Sequence, residues 1–283
     1  MPRPWRLMAD GGVMLAGDDQ GHPEAPPVVL LHGAASNHRW WDPVAARLAR
    51  RHRVLRYDHR GHGQSSSPAG GYTVDRLAAD AATVVERLGL GRVVLVGHSA
   101  GADTALAAAA ARPDLIAALG CIEGGVYDPR LLHGPTWPQA RRRMLTDRRG
   151  RTTTAVLRAW LQTAGLPAQA LPALTGNYAN GPDGQLHLRL AVAHEEQLAR
   201  SLWHRDPTRL LATVQAPVLV VAALHGEDRE DQPRQASIRR ARAALADHLD
   251  VRWMRGGHHL PLQQPTAVAD AIADLTALVG SPA

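Results

Sequence analysis

Lysine and phenylalanine are absent from this 283-residue chain, and cysteine occurs once, at Cys121. A single cysteine excludes an intrachain disulfide and fits a reducing compartment, so the expected location is the cytoplasm. Cys121 sits in the apolar run Leu119-Gly120-Cys121-Ile122 and reads as a buried, inert thiol. No stretch approaches the roughly 20 apolar residues that span a bilayer. No apolar segment follows the basic start Met1-Pro2-Arg3-Pro4-Trp5-Arg6, so neither a membrane span nor a secretory signal is expected. With lysine missing, all 32 basic residues are arginine, and the formal net charge is +6. The arginines are spread along the chain without a nucleic-acid-binding motif, which reads as biased amino-acid usage, with no nucleic-acid partner. Their one local excess, over 130–158 (Arg141, Arg142, Arg143, Arg148, Arg149 and Arg151), reads as a solvated face, with an anionic-substrate or partner surface as the alternative. HExxH, Cys/His clusters and a phosphate-cradling glycine loop are also missing, so no metal or cofactor is expected.

What is present is a globular composition, 45% hydrophobic, long enough for one large domain with a buried core. Val13-Met14-Leu15-Ala16, flanked by the polar stretches Asp10-Gly11-Gly12 and Gly17-Asp18-Asp19-Gln20-Gly21, suggests a strand pair with polar turns. Further strands are predicted over 26–31, 54–57, 93–96, 116–122, 217–222 and 250–254. Helical spacing marks 42–51, 74–88, 102–112 and 266–279. Strands apolar on both faces and alternating with helices predict an α/β fold with a mostly parallel central sheet covered by helices on both sides. Loops after the strand ends at Leu31, Tyr57, Val96 and Ile122 then share one rim, where ligands bind. The rhythm breaks over 126–206, which holds Trp137, Trp160 and Trp203, several prolines and no convincing strand. This predicts a helical cap inserted between two parts of a core, 1–125 and 207–283.

The densest chemical signal is Gly97-His98-Ser99-Ala100-Gly101, between an apolar strand run and an alanine-rich helix pattern. Strand, sharp turn and helix in that order form the context of a nucleophile elbow. The turn strains the serine backbone and leaves no room for side chains two positions away, a condition Gly97 and Gly101 meet. A serine hydroxyl is a poor nucleophile at neutral pH, so Ser99 requires a base, an acid to orient it, and oxyanion donors.

Four segments appear in one order: His32-Gly33 after a strand, Asp58-His59-Arg60-Gly61-His62-Gly63-Gln64-Ser65, the elbow, and Gly257-His258 near the end. Together they resemble the α/β-hydrolase fold superfamily over nearly the whole chain outside 126–206. The resemblance implies a catalytic triad in the order serine, acid, histidine. Ser99 is then the nucleophile. Among fifteen histidines, His258 is the base, with its neighbour His259 the rival. The acid belongs after the strand at 217–222, but the usual tight Gly-x-x-Asp is replaced there by Ala223-Leu224-His225-Gly226-Glu227-Asp228-Arg229-Glu230-Asp231. Asp228 is the choice, Glu227 follows, Asp231 is a helix cap, and Glu123 after the preceding strand is a further candidate. The resemblance places the oxyanion donors at the Ala34 and Ala100 amides. Asn37, His38, Trp40, Glu123, Trp137 and Trp160 are candidates to line the substrate pocket. His98 and His32 read as supporting residues.

These residues imply a serine hydrolase of the carboxylic-ester type, acting on an apolar small-molecule ester, lactone or thioester through an acyl-enzyme. Two alternatives stand beside it. One is carbon–carbon bond hydrolysis or natural-product tailoring in the same pocket; the other is a ligand-binding protein with negligible turnover.

Overall fold

Apolar runs that alternate between two buried faces build the sheet. The computed structural model describes residues 1–145, 152–224, 226, 228–245 and 248–280, without the side chains of 228–230. The strands are β1 (Arg3–Ala9), β2 (Val13–Gln20), β3 (Pro27–Leu31), β4 (Arg53–Asp58), β5 (Val93–His98), β6 (Ile116–Ile122), β7 (Tyr178–Asn180), β8 (Leu186–Leu188), β9 (Val218–Leu224) and β10 (Leu249–Arg255). Eight of them form one sheet in the order β1-β2-β4-β3-β5-β6-β9-β10. β1, β2 and β4 pair antiparallel, and every pairing from β4 to β10 is parallel. Successive side chains point to opposite faces. Val28, Leu30, Val94 and Val96 therefore enter one core, and Val29, Leu31, Val93 and Leu95 the other.

Helices cover both faces, as α/β architecture requires. They are α1 (Asp42–Leu48), α2 (Val74–Arg87), α3 (Ala100–Ala111), α4 (Pro129–His133), α5 (Trp137–Met144), α6 (Thr154–Thr163), α7 (Leu171–Thr175), α8 (Val192–Trp203), α9 (Pro207–Leu211), α10 (Asp228–Leu245), α11 (Leu260–Gln263) and α12 (Pro265–Ala277). α1 and α12 supply one core, α2, α3 and α10 the other. Eight of the twelve residues of α3 are alanine, and the helix is buried almost all round against β5 and β6 behind the elbow.

The predicted strands and helices form at the expected places, with two differences. The stretch Gly17-Asp18-Asp19-Gln20 is strand, not turn. Its acids are paired from the side, Asp18 with Arg56 at 2.8 Å and Asp19 with Arg53 at 3.0 Å, and a Cβ on Gly17 would meet Arg56 O at 2.3 Å. Close packing, not chain reversal, is what Gly17 provides. Secondly, the segment between β6 and β9 contains a short hairpin, β7 with β8, where no strand was expected. Strands of three residues have no readable alternation, which is why the sequence hid them. This segment has its own apolar cluster, in which Leu157, Leu161, Leu174 and Tyr178 pack on Trp40 of the core.

Candidate active site

Ser99 sits at the carboxyl end of β5 with φ 54° and ψ −129°, outside the regions comfortable for an L-residue. Close packing imposes this geometry. A Cβ at Gly97 would fall 2.0 Å from Gly101 O, one at Gly101 2.5 Å from Leu31 O, and one at Gly124 2.5 Å from Ser99 O. Among the described residues three non-glycines have positive φ: Ala35, Ser99 and Glu123. All three border the same cleft. Strain of this kind persists where surrounding structure enforces it, and it gathers at working sites.

Two connected lobes open on either side of Ser99, with volumes of about 370 and 190 Å³. Ser99, His258, Ala34, Met144 and Glu195 border both. The Ala100 amide opens α3, so no carbonyl four residues earlier in the helix can receive it. Ala34 follows Gly33, where a Cβ would stand 3.0 Å from Ser99 Cβ and 3.5 Å from Ser99 Oγ. Ala34 and Ala100 both border the cleft beside the serine.

Asp228 opens α10, but its side chain is outside the described part of the molecule, as are His225 and Glu227 altogether. The carboxylate found on His258 is Glu123, whose Oε2 lies 3.4 Å from Nδ1. Glu123 follows β6, one strand earlier than the position first favoured, and its side chain is fully buried. Its other oxygen, Oε1, accepts from the Ala223 amide at 2.7 Å and from the Tyr127 hydroxyl at 3.1 Å. Burial and the neighbouring carboxylate hold the Tyr127 phenol well above its usual range, so it remains a donor. Arg234 Nε lies 3.6 Å from Oε2. The carboxylate is thus held by donors on one oxygen while the other faces the imidazole. Asp231 lies inside the first turn of α10, not ahead of it as a cap would, and accepts from the Gly226 amide at 3.2 Å.

Histidines support the loops around the serine. His98 Nε2 is 2.6 Å from the carbonyl of His258 and donates to it. Burial pushes His98 down to about 3, so the ring is neutral and positions the His258 backbone. His32 receives the His59 amide on Nε2 at 3.0 Å and donates from Nδ1 to Gly33 O at 2.7 Å. His62 accepts the Ala35 amide on Nε2 at 3.1 Å, which leaves Nδ1–H to donate to Arg60 O at 2.9 Å. Burial lowers all three of His32, His59 and His62, and the neutral form is what the accepting nitrogens of His32 and His62 require.

Of the pocket candidates, Trp40 and Glu123 border the cleft. Asn37 and His38 do not. Asn37 donates to Ala173 O at 2.6 Å and to Asn177 Oδ1, tying the core to the 126–206 segment. His38 is 2.9 Å from Asp58. Trp137 packs on Trp203, and Trp160 stands edge-on to His259 at 5.5 Å without reaching the cleft wall. Asp103, Tyr127, His133, Met144, Glu195 and Arg234 border it unannounced by any motif. Only Asp103 had a readable signal, the i+4 helical spacing from Ser99. Of the arginine-rich stretch, Arg141 makes a two-point pair with Glu196, and Arg148, Arg149 and Arg151 lie outside the described residues. Among the described residues no group of three His, Cys, Asp or Glu side chains is arranged to hold a metal, and no helix is long and apolar enough to cross a membrane.

A family model described as alpha/beta hydrolase fold matches residues 26–265. The chain belongs to the α/β-hydrolase fold family. Two curated members resemble it in different ways. A 2-(acetamidomethylene)succinate hydrolase of Mesorhizobium japonicum is 38% identical over 102 residues, 36% of this chain and 37% of that protein. A putative carbamate hydrolase, RutD, of Klebsiella pneumoniae is 28% identical over 71% of this chain and 74% of that protein. The chain thus spans about a third of the first relative and about three quarters of the second. Among solved α/β-hydrolase structures, that of an E-2-(acetamidomethylene)succinate hydrolase superposes with a TM-score of 0.82 at 25% identity, covering 97% of this chain and 99% of the other.

Proposed function

We propose that this α/β-hydrolase is a serine hydrolase that cleaves an acyl bond through an acyl-enzyme, with Ser99 as nucleophile, His258 as base and Glu123 as the orienting acid. The observation that carries the reading is the buried Glu123 carboxylate on His258 Nδ1, on the rim where Ser99 is held in its strained elbow. Nδ1–H donates to Glu123, which leaves Nε2 unprotonated and able to take the serine proton. Ser99 Oγ attacks the carbonyl carbon, and the Ala34 and Ala100 amides receive the oxyanion. Each such donor is worth on the order of 3 kcal/mol in the transition state. His258 returns the proton to the leaving group, and the same base then activates water to release the acyl group.

The bond cleaved joins a carbonyl to oxygen, sulfur or nitrogen. Esters, lactones and thioesters need no leaving-group amine, and the hydrolase relatives named above extend the range to nitrogen. The 126–206 segment serves as a lid in this reading, which the presence of its residues His133, Met144 and Glu195 in the cleft lining supports. The larger lobe lies near the lower end of the roughly 300–1,000 Å³ of small-molecule sites, which suits a small acyl group. A fluorophosphonate probe is expected to label the native protein and to leave Ser99→Ala unlabelled. A folded native protein that resists the probe and cleaves no activated ester or thioester overturns the reading.

A further inference from the structure

Asp103 lies on α3 one turn beyond Ser99, and it borders the larger lobe. Ser99 caps this helix and Asp103 stands in its first turn, so both border the same lobe. The surrounding wall is largely apolar, with Pro129, Leu132, Ala199 and Leu202. The carboxylate is poorly satisfied for such a place. Gly125 N–H reaches Oδ2 at 3.4 Å, beyond the usual range of an N–H···O bond. Its own backbone amide is the other donor near it, and Arg205 acts on it only through charge, bonding instead to Asp75 at 2.6 Å. Burial pushes the carboxyl up to about 6 although a helix N-terminus favours an anion. A carboxylate in an apolar wall is costly to hold ionised, and its lone pairs beyond the one long bond can accept from a ligand. Alanine, which fills most of α3, would remove that cost at no loss to the helix.

We infer that Asp103 determines specificity by accepting a hydrogen bond from an N–H on the substrate's acyl group, an amide or an ammonium two or three bonds from the scissile carbonyl. This rests on the acyl-transfer reading above. It selects an acylamino or aminoacyl substrate over a plain alkanoyl one of the same size.

The test uses pairs of 4-nitrophenyl esters that differ only by N–H against CH2: N-acetylglycine against 4-oxopentanoate, and N-acetyl-β-alanine against 5-oxohexanoate. At least one N–H member is expected to exceed its partner by about tenfold or more in kcat/KM, the effect of one hydrogen bond to a charged acceptor. In Asp103→Ala the ratio falls to near unity, and Asp103→Asn, which keeps the shape and loses the charge, falls between. If Asp103 merely steadied the Gly125 turn, both members of a pair would slow alike and the ratio would stand. An unchanged ratio in Asp103→Ala, or no native preference in either pair, overturns the inference while ester hydrolysis and Ser99 labelling leave the acyl-transfer reading intact. If no ester is cleaved, the matching primary amides are titrated by calorimetry into Ser99→Ala protein. An N–H preference that Asp103→Ala abolishes supports the site apart from the chemistry; equal or absent binding overturns it.

Discussion

Exchanging Glu123 for glutamine tests the acid assignment more sharply than any other single change. The substitution keeps volume and removes charge. The Ala223 amide and Tyr127 hydroxyl both donate to Oε1, so the glutamine carbonyl oxygen must take that position. Its NH2 then occupies the place of Oε2, facing His258 Nδ1 at about the present 3.4 Å. A donor there forces Nδ1 to accept, and the proton moves to Nε2, where it blocks the proton transfer from Ser99. The imidazolium also loses a facing charge. At an effective dielectric constant near 20, two charges 3.4 Å apart interact by about 5 kcal/mol. The His258 side chain is 42% exposed, so solvent screening reduces this to roughly 2–3 kcal/mol. Arg234 remains 3.6 Å from the site of the lost charge and repels the imidazolium further. Charge loss and wrong tautomer together predict a fall in kcat of about 10³–10⁴, comparable with the amide exchange in a protease triad, while KM changes little. Steady-state hydrolysis of 4-nitrophenyl acetate, with thermal melting as the folding control, measures it. The reasoning is refuted if Glu123→Gln keeps activity within about tenfold of native while Asp228→Asn loses it.

Two further outcomes follow from the same geometry. His59 and His98 are pushed by burial to about 3, below the unfolded value near 6.5, so the unfolded chain binds protons first as the pH falls. Their contribution is complete above about pH 6.5 and is lost progressively toward pH 3; at pH 5 each costs about 2 kcal/mol. Urea unfolding at pH 7.5 and pH 5 should show the drop, and equal midpoints would refute it. Asn37→Ala leaves Ala173 O and Asn177 without their buried partner, at a cost of about 1–3 kcal/mol. Limited proteolysis within 126–206 should accelerate while fluorophosphonate labelling of Ser99 persists; unchanged cleavage would show that Asn37 does not tie this segment down.

Local chemistry made part of this molecule legible. The elbow is written in five consecutive residues, because Gly97 and Gly101 answer a steric demand made within one turn of chain. The strands before it declare themselves by apolar runs, and α2 by its periodicity. The alternation of strands with helices likewise gave the mostly parallel sheet, while the strand order came from the tertiary structure. Asp18 and Asp19 misled because their partners, Arg56 and Arg53, lie on a strand reached only after the chain turns back.

The acid shows most clearly what only three dimensions decide. Both Asp228 and Glu123 follow strands of the sheet, and the family resemblance ranks them only by which strand they follow. The choice turns on reach. β6 pairs with both β5 and β9, so the Glu123 backbone emerges beside Ser99, and the Ala223 amide arrives from the next strand to aim its carboxylate at His258. Asn37 is a similar case: its place beside the oxyanion loop suggested a pocket residue, yet it bonds to Ala173, 136 positions away. Sequence alone determined the strained elbow at Ser99 and its strand-to-helix scaffold, since backbone sterics act between neighbours. Tertiary structure decided that Glu123 meets His258, which residues wall the cleft and the place of Asp103 in it, since those depend on which distant groups meet.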